Sequence, residues 1–173
     1  PYVAPEPIIL QPTKLDVLPG FDVTRLAFPQ EIMPTALAWK PDRTLVFSSL
    51  KGRVWMAQDR NGDTLEETLW PATDELAAPF GLHAETDYVD VINKYALLRM
   101  TDLDRDGRFD RYVTLASGWG HTTDYHDWAI GLPRDEQGRY YVAFACQQDV
   151  RSEVQARFRG TVTRLTPKAP THE

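Results

Sequence analysis

Four carboxylates stand at the first, third, fifth and ninth places of one short stretch, Asp102-Leu103-Asp104-Arg105-Asp106-Gly107-Arg108-Phe109-Asp110, with glycine sixth where the backbone must turn. Oxygen ligands at that density suit a hard cation such as calcium. Asp59, Asn61, Asp63 and Glu67 take the same four places 43 residues upstream as a weaker copy, with Thr64 where the permissive glycine would be. These eight side chains are the candidate calcium ligands. Val113 fills the twelfth place, where a helix-loop-helix site has its bidentate Glu, so a strand-loop-strand hairpin is the expected setting and an ion there would fix the hairpin rather than activate water. The competing reading is a pair of acidic turns that bind nothing. Asn61-Gly62 makes a tight turn by itself, and an Asp-Gly turn needs no ion.

A second constellation is Gly118-Trp119-Gly120-His121-Thr122-Thr123-Asp124-Tyr125-His126-Asp127-Trp128. A neutral imidazole held by a carboxylate acts as a general base near neutral pH, so His126, with Asp127 or Asp124 holding it, is the candidate catalytic group. His121 and His126 also have a spacing that a transition metal could use, without a third fixed ligand. The alternative is that both imidazoles satisfy buried backbone carbonyls under Trp119 and Trp128. Gln147 and Gln148, in Cys146-Gln147-Gln148-Asp149, could line a polar channel after a strand, and with His121 they are the candidate cofactor contacts. Cys146 has no assigned base and reads as packing. His83 and His172 show no comparable setting.

These groups need a scaffold, and the composition indicates which kind. The 173 residues suit one domain with a real core; 13 Pro and 10 Gly punctuate short segments rich in aromatic and β-branched residues, as many-turned β proteins require. A net charge of −6 without a polybasic run disfavours nucleic acid. The single cysteine excludes an intrachain disulfide, a zinc ribbon and a Cys-x-x-Cys-His haem attachment. No apolar run is long enough to span a membrane. The opening Pro1-Tyr2-Val3-Ala4-Pro5 predicts a processed or trimmed chain.

Residues 1–20, with five prolines, predict an extended arm lying across a surface, and residues 21–27 alternate as a half-buried strand. From Pro34 the chain repeats. At an offset of 43 residues Leu37 falls on Phe80, Trp39 on Leu82, Val46 on Val89, Val54 on Leu97, Trp55 on Leu98 and Trp70 on Val113. The pattern predicts strands at 36–39, 45–48, 53–57 and 68–70, then at 80–83, 88–92, 96–100 and 111–115. A third unit starts near Trp128, with strands at 130–132, 140–144 and 160–165 and a short helix or loop inserted at 147–159. Four short antiparallel strands per 40 to 50 residues is the blade of a β-propeller. The fold expected is therefore all-β, a partial propeller over 21–173 with blades at about 34–76, 77–120 and 126–166. Three blades do not close a ring, so a second chain, a larger complex or further blades of a longer protein must complete it.

The residues also resemble a family. The run from His126-Asp127-Trp128 through Leu132-Pro133-Arg134-Asp135-Glu136-Gln137-Gly138-Arg139-Tyr140-Tyr141 is similar to a segment of the quinoprotein glucose/sorbosone dehydrogenase-like six-bladed propellers. Pro34-Thr35-Ala36-Leu37-Ala38-Trp39, Leu50-Lys51-Gly52-Arg53-Val54-Trp55 and Leu76-Ala77-Ala78-Pro79-Phe80-Gly81-Leu82 resemble the opening blades of its bacterial membrane-bound or haem-associated branch, so that the chain matches the N-terminal half. The resemblance implies pyrroloquinoline quinone (PQQ) with calcium at the channel mouth, His126 as the base taking the sugar hydroxyl proton, and an electron-transfer partner such as a cytochrome. It departs at Tyr125, where the sugar dehydrogenases have an acidic residue, and at Cys146-Gln147-Gln148, which replaces a Gly-Asp-Gln. Two readings follow: a calcium-stabilised periplasmic or otherwise extracytoplasmic binding subunit of a larger complex, or the N-terminal part of a PQQ-dependent sugar or alcohol dehydrogenase.

Overall fold

A computed structural model gives the structure of residues 6–123, 126–145 and 153–167. Short β-branched and aromatic runs separated by Gly, Asn and Asp turns fold as strands because each can bury one face and return within a few residues. The elements in order are β1 (Ile8–Ile9), β2 (Pro12–Leu15), β3 (Val23–Leu26), β4 (Pro34–Trp39), β5 (Leu45–Ser49), β6 (Val54–Gln58), β7 (Thr68–Thr73), β8 (Gly81–Ala84), β9 (Val89–Ile92), β10 (Ala96–Thr101), β11 (Arg111–Ser117), β12 (Ala129–Ile130), β13 (Tyr140–Phe144), α1 (Glu153–Phe158) and β14 (Val162–Leu165). They form antiparallel sheets in the orders β1-β7-β6-β5-β4, β11-β10-β9-β8 and β12-β13-β14, with β2 and β3 as a separate hairpin.

Each sheet is a blade, and alternation along the strands sends neighbouring residues to opposite faces. Val46, Val54 and Met56 of the first blade meet Val89, Val91 and Met100 of the second in one core. Ile92 and Leu97, on the second blade's other face, meet Tyr140, Val142 and Phe144 of the third. Beside the innermost strands, Phe80 accepts a backbone hydrogen bond from Gly131 at 2.9 Å, which ties the second blade to the third. A Cβ on Gly81 would lie 2.6 Å from the Gly131 carbonyl carbon, so only glycine permits that approach.

Several expectations are corrected. Within the segment expected to be an extended arm, Ile8 and Ile9 pair with Leu69 and Thr68 as a fifth strand on the outer edge of the first blade. Leu10 and Ile32 then pack with Phe47, Trp55 and Leu69 over that blade's outward face, and Phe28 stacks on Phe47 at 4.8 Å. The strand expected at 21–27 forms as β3, but it pairs only with β2 and is mostly exposed. The 43-residue offset holds for the outer strands and slips in the inner ones. Val46 pairs with Ala38, whereas the corresponding pair in the second blade is Asp90 with His83. Val89 thus faces the first blade while Val46 faces the second. The slip arises because the β5–β6 turn, closed from Ser49 to Arg53, is one residue longer than the β9–β10 turn, closed from Asn93 to Ala96. The Asn93 side chain fixes that tighter turn by accepting the N–H groups of Tyr95 and Ala96.

The third blade has three strands among the described residues, and its first, expected at 130–132, is shorter and lies one residue earlier. The insertion contains helix α1. On the face turned away from the second blade, Ile130, Ala143 and Val162 are cross-strand neighbours. This apolar row is open: Val162 is 70% exposed and Ile130 38%.

Candidate functional site

The acidic loops are hairpin connections between the third and fourth strands of the first two blades, as strand-loop-strand spacing requires. Their backbones are held identically. Asp59 accepts the N–H groups of Gly62 and Thr64 at 2.7 and 2.8 Å, and Asp102 accepts those of Arg105 and Gly107 at 2.7 and 3.0 Å. These donations, led by that of Gly62, hold the Asp59 carboxyl below the usual carboxylate range. Thr64 adopts φ 73° where Gly107 has φ 93°, and Arg105 adopts φ 63° where Gly62 has φ 85°. Each loop therefore carries one strained non-glycine residue in a conformation that the other assigns to glycine.

One oxygen each from Asp59, Asp63 and Glu67 lies within 4.8 Å of the others, and so it is for Asp102, Asp104 and Asp110. Asn61 is spent within the first loop, donating to Asp63 at 3.1 Å and accepting its N–H at 2.9 Å. Asp106 lies outside the second convergent trio and accepts the Arg108 N–H. The loops differ in depth. Asp110 is exposed, and its Oδ2 accepts the Leu103 N–H at 2.9 Å. Glu67 is only 5% exposed; its Oε1 accepts the Thr68 hydroxyl at 3.0 Å, while Oε2 is buried with no partner among the described residues. The second loop is anchored across the blades, since Trp70 donates its indole N–H to the Gly107 carbonyl at 3.1 Å and Phe109 donates its backbone N–H to Ala72.

In the connection to the third blade, Asp127 is fully buried and committed to structure. It pairs with the Arg159 guanidinium and accepts the Thr122 N–H at 2.6 Å, the Thr122 hydroxyl at 3.1 Å and the Gln155 amide at 3.1 Å. Burial opposes its charge, but Arg159 and Thr122 outweigh it and keep the carboxyl below its usual range. Arg159 also donates to the Gly120 carbonyl at 3.0 Å, so this knot rivets the connection to α1. His126 is exposed, its ring 6.0 Å from that of Trp128, which itself stacks on Phe80 at 4.3 Å. His121 is also exposed and meets Tyr95 edge-on at 4.3 Å. Neither histidine is buried beneath the tryptophans. Asp124, Gln147 and Gln148 lie outside the described residues, as does Cys146.

Sequence reasoning gave His83 no role, yet the structure makes it part of a polar cluster. The innermost strands and the segment after β12 line one cleft, to which Leu37, Trp39, His83 and Arg134 contribute. There Glu85 lies 3.0 Å from the His83 Nε2 and accepts from Arg134 at 2.8 Å. The His83-Ala84-Glu85 spacing, which places alternate residues on one face of a strand, was the signal that could have found it. Behind this cluster Arg134 lies over the Tyr140 ring, and Tyr140 donates its hydroxyl to the buried Asp90 at 2.5 Å. Burial, reinforced by Asp90, pushes the Tyr140 phenol well up.

No family model matches the chain, and no curated protein matches it. Among solved structures it is similar to a gluconolactonase from Xanthomonas campestris that is described as important in glucose secondary metabolism. The TM-score is 0.57 with 18% identity, over 96% of this chain and 57% of that one. The chain folds as part of a β-propeller. It spans little more than half the length of that neighbour.

Proposed function

We propose that this chain is a calcium-stabilised β-propeller module, working outside the cytoplasm as a binding and assembly subunit of a larger complex. The observation that carries the reading is the open face of the third blade. Ile130, Ala143 and Val162 form an apolar row there, equivalent in position to residues that are buried between the other blades. A blade face of that kind is stable in water only when another surface covers it. The calcium part rests on the two convergent carboxylate trios. Three convergent carboxylates per loop are few for an ion that takes six to eight oxygens, which suits the weak affinity class of extracellular modules and a calcium-rich compartment. No described helix is long and apolar enough to cross a membrane. The inner-strand cleft, with Trp39 half exposed beside His83 and Arg134, offers an aromatic and polar surface of the kind that binds sugars or sugar acids.

The dehydrogenase alternative needs a cradle for PQQ, whose carboxylates require cationic partners. Among the described residues lining the cleft, Arg134 is the guanidinium available, and it is already paired with Glu85. The described residues of this cleft do not supply the cationic partners that the quinone requires. The resemblance in sequence still names a cytochrome-like partner as one to try in the assembly test. That test is native mass measurement at micromolar concentration, with calcium present. A mass well above the 19.7 kDa of one chain is expected, and Val162→Asp should reduce it. A lone chain under those conditions, with and without the candidate partner, would refute the assembly role.

A further inference from the structure

We infer that the first acidic loop, anchored by the buried Glu67 carboxylate, is the tighter calcium site of the two, and that its ion secures the docking of β1. This deepens the calcium-stabilised reading above and rests on it. Acidic residues cluster on many surfaces without binding anything, so the trio of Asp59, Asp63 and Glu67 does not suffice by itself. Glu67 supplies what the trio lacks. It is 95% removed from solvent, and its Oε2 has neither water access nor a donor among the described residues. Leaving an ionised carboxylate oxygen unpaired in a protein interior is among the costliest arrangements available, and native structures avoid it. A cation between Glu67, Asp59 and Asp63 removes the cost. Oxygens on opposite sides of a calcium ion bonded at about 2.4 Å stand about 4.8 Å apart, which is the spread that these three carboxylates satisfy.

The second loop has the better glycine and a fuller set of acids, but no comparable need. Its Asp110 is exposed and bonded to the Leu103 N–H, so an ion there displaces solvent without rescuing a buried charge. The consequence for the fold comes through the Glu67 backbone. Its carbonyl accepts the Leu10 N–H at 2.7 Å, and the next residue, Thr68, pairs with Ile9. An ion that immobilises Glu67 immobilises the strand to which β1 is attached. Without it, Glu67 is driven towards solvent and β1 loosens.

The test uses the whole chain, stripped with EGTA and titrated with calcium chloride by calorimetry, with amide exchange followed at Leu10 and Thr68. Two sites are expected. Glu67→Gln should weaken the tighter one by about tenfold or more, and Asp110→Asn should remove the weaker one. Exchange at Leu10 should slow as the tighter site fills. Because Glu67→Gln alters a buried position, Asp63→Asn, an exposed change in the same loop, should reproduce its effect. If the tighter site survives both first-loop variants, or disappears in Asp110→Asn, the ranking is overturned while calcium stabilisation stands. If the unmutated chain takes up no calcium, both fall, and the assembly measurement is unaffected.

Discussion

The Asp90 carboxylate is completely buried between the second and third blades, and Arg99 grips it through two bonds of 2.8 Å, from Nε and Nη2. The Tyr140 hydroxyl, from the next blade, supplies the third bond. Removing one partner of such a pair leaves a charge without solvent or counter-ion. Arg99→Ala should therefore cost about 3 to 5 kcal/mol. Tyr140→Phe deletes one hydrogen bond to a charged acceptor and keeps the ring, at a cost of about 1.5 to 3 kcal/mol. For a chain of this size each kcal/mol moves the melting temperature by about 2 to 4 °C, so the expected losses are roughly 6 to 20 °C and roughly 3 to 12 °C. The assay is urea unfolding and thermal melting at fixed calcium, for both single variants and the double. Because both residues act on one acceptor, the double variant should differ from the sum of the singles by about 0.5 to 3 kcal/mol. Singles that each cost under about 0.5 kcal/mol, or a double that is strictly additive, would refute the view that this triad fastens the third blade to the second.

Three further outcomes follow from other parts of the structure. Gly81→Ala drives a methyl group against the Gly131 carbonyl and should destabilise the chain by about 1 to 3 kcal/mol, measurable by urea unfolding, with faster amide exchange in β12 than in β5. Thr64→Gly relieves a left-handed residue on an exposed loop and should raise stability by up to about 1 kcal/mol, an effect that melting curves at saturating calcium would resolve. Asp135 has its carboxyl held down to about 2: partial desolvation opposes the charge, but the Arg139 N–H and guanidinium and the Tyr141 hydroxyl outweigh it. Its folded pKa lies below the unfolded one, so its contribution is complete above about pH 4 and is lost as pH falls towards about 2. Asp135→Asn should flatten stability against pH in that window and leave neutral pH little changed.

The outer strands of each blade were legible because their turns are acidic loops of equal length, so a fixed offset aligned Trp70 with Val113 and Val54 with Leu97 correctly. The inner strands were not, since one extra residue between Ser49 and Arg53 exchanges the two faces of every strand before it, and Val46 and Val89 are equally apolar on either face. Strand β1 was hidden for a different reason: two isoleucines among prolines carry no period, and their pairing is imposed by the exposed edge of β7. At the candidate sites, spacing located both carboxylate trios. It ranked the second loop first on its glycine and its four aspartates, because the depth of Glu67, buried where Asp110 is exposed, is not written in spacing. Asp127 reads as a catalytic helper beside His126 in sequence; only the distant Arg159 and Gln155 convert it into a structural rivet. The cluster of His83, Glu85 and Arg134 needs two blades to exist at all.

The lid that Leu10, Ile32 and Phe28 make over the first blade gives the row of sheets a polarity. One end is already closed, and the other, at Val162, is receptive. Two copies meeting through this receptive face would do so isologously, as a two-fold pair. Whatever covers the Ile130 row must bring an apolar surface shaped to a strand face, from a sheet or from a helix.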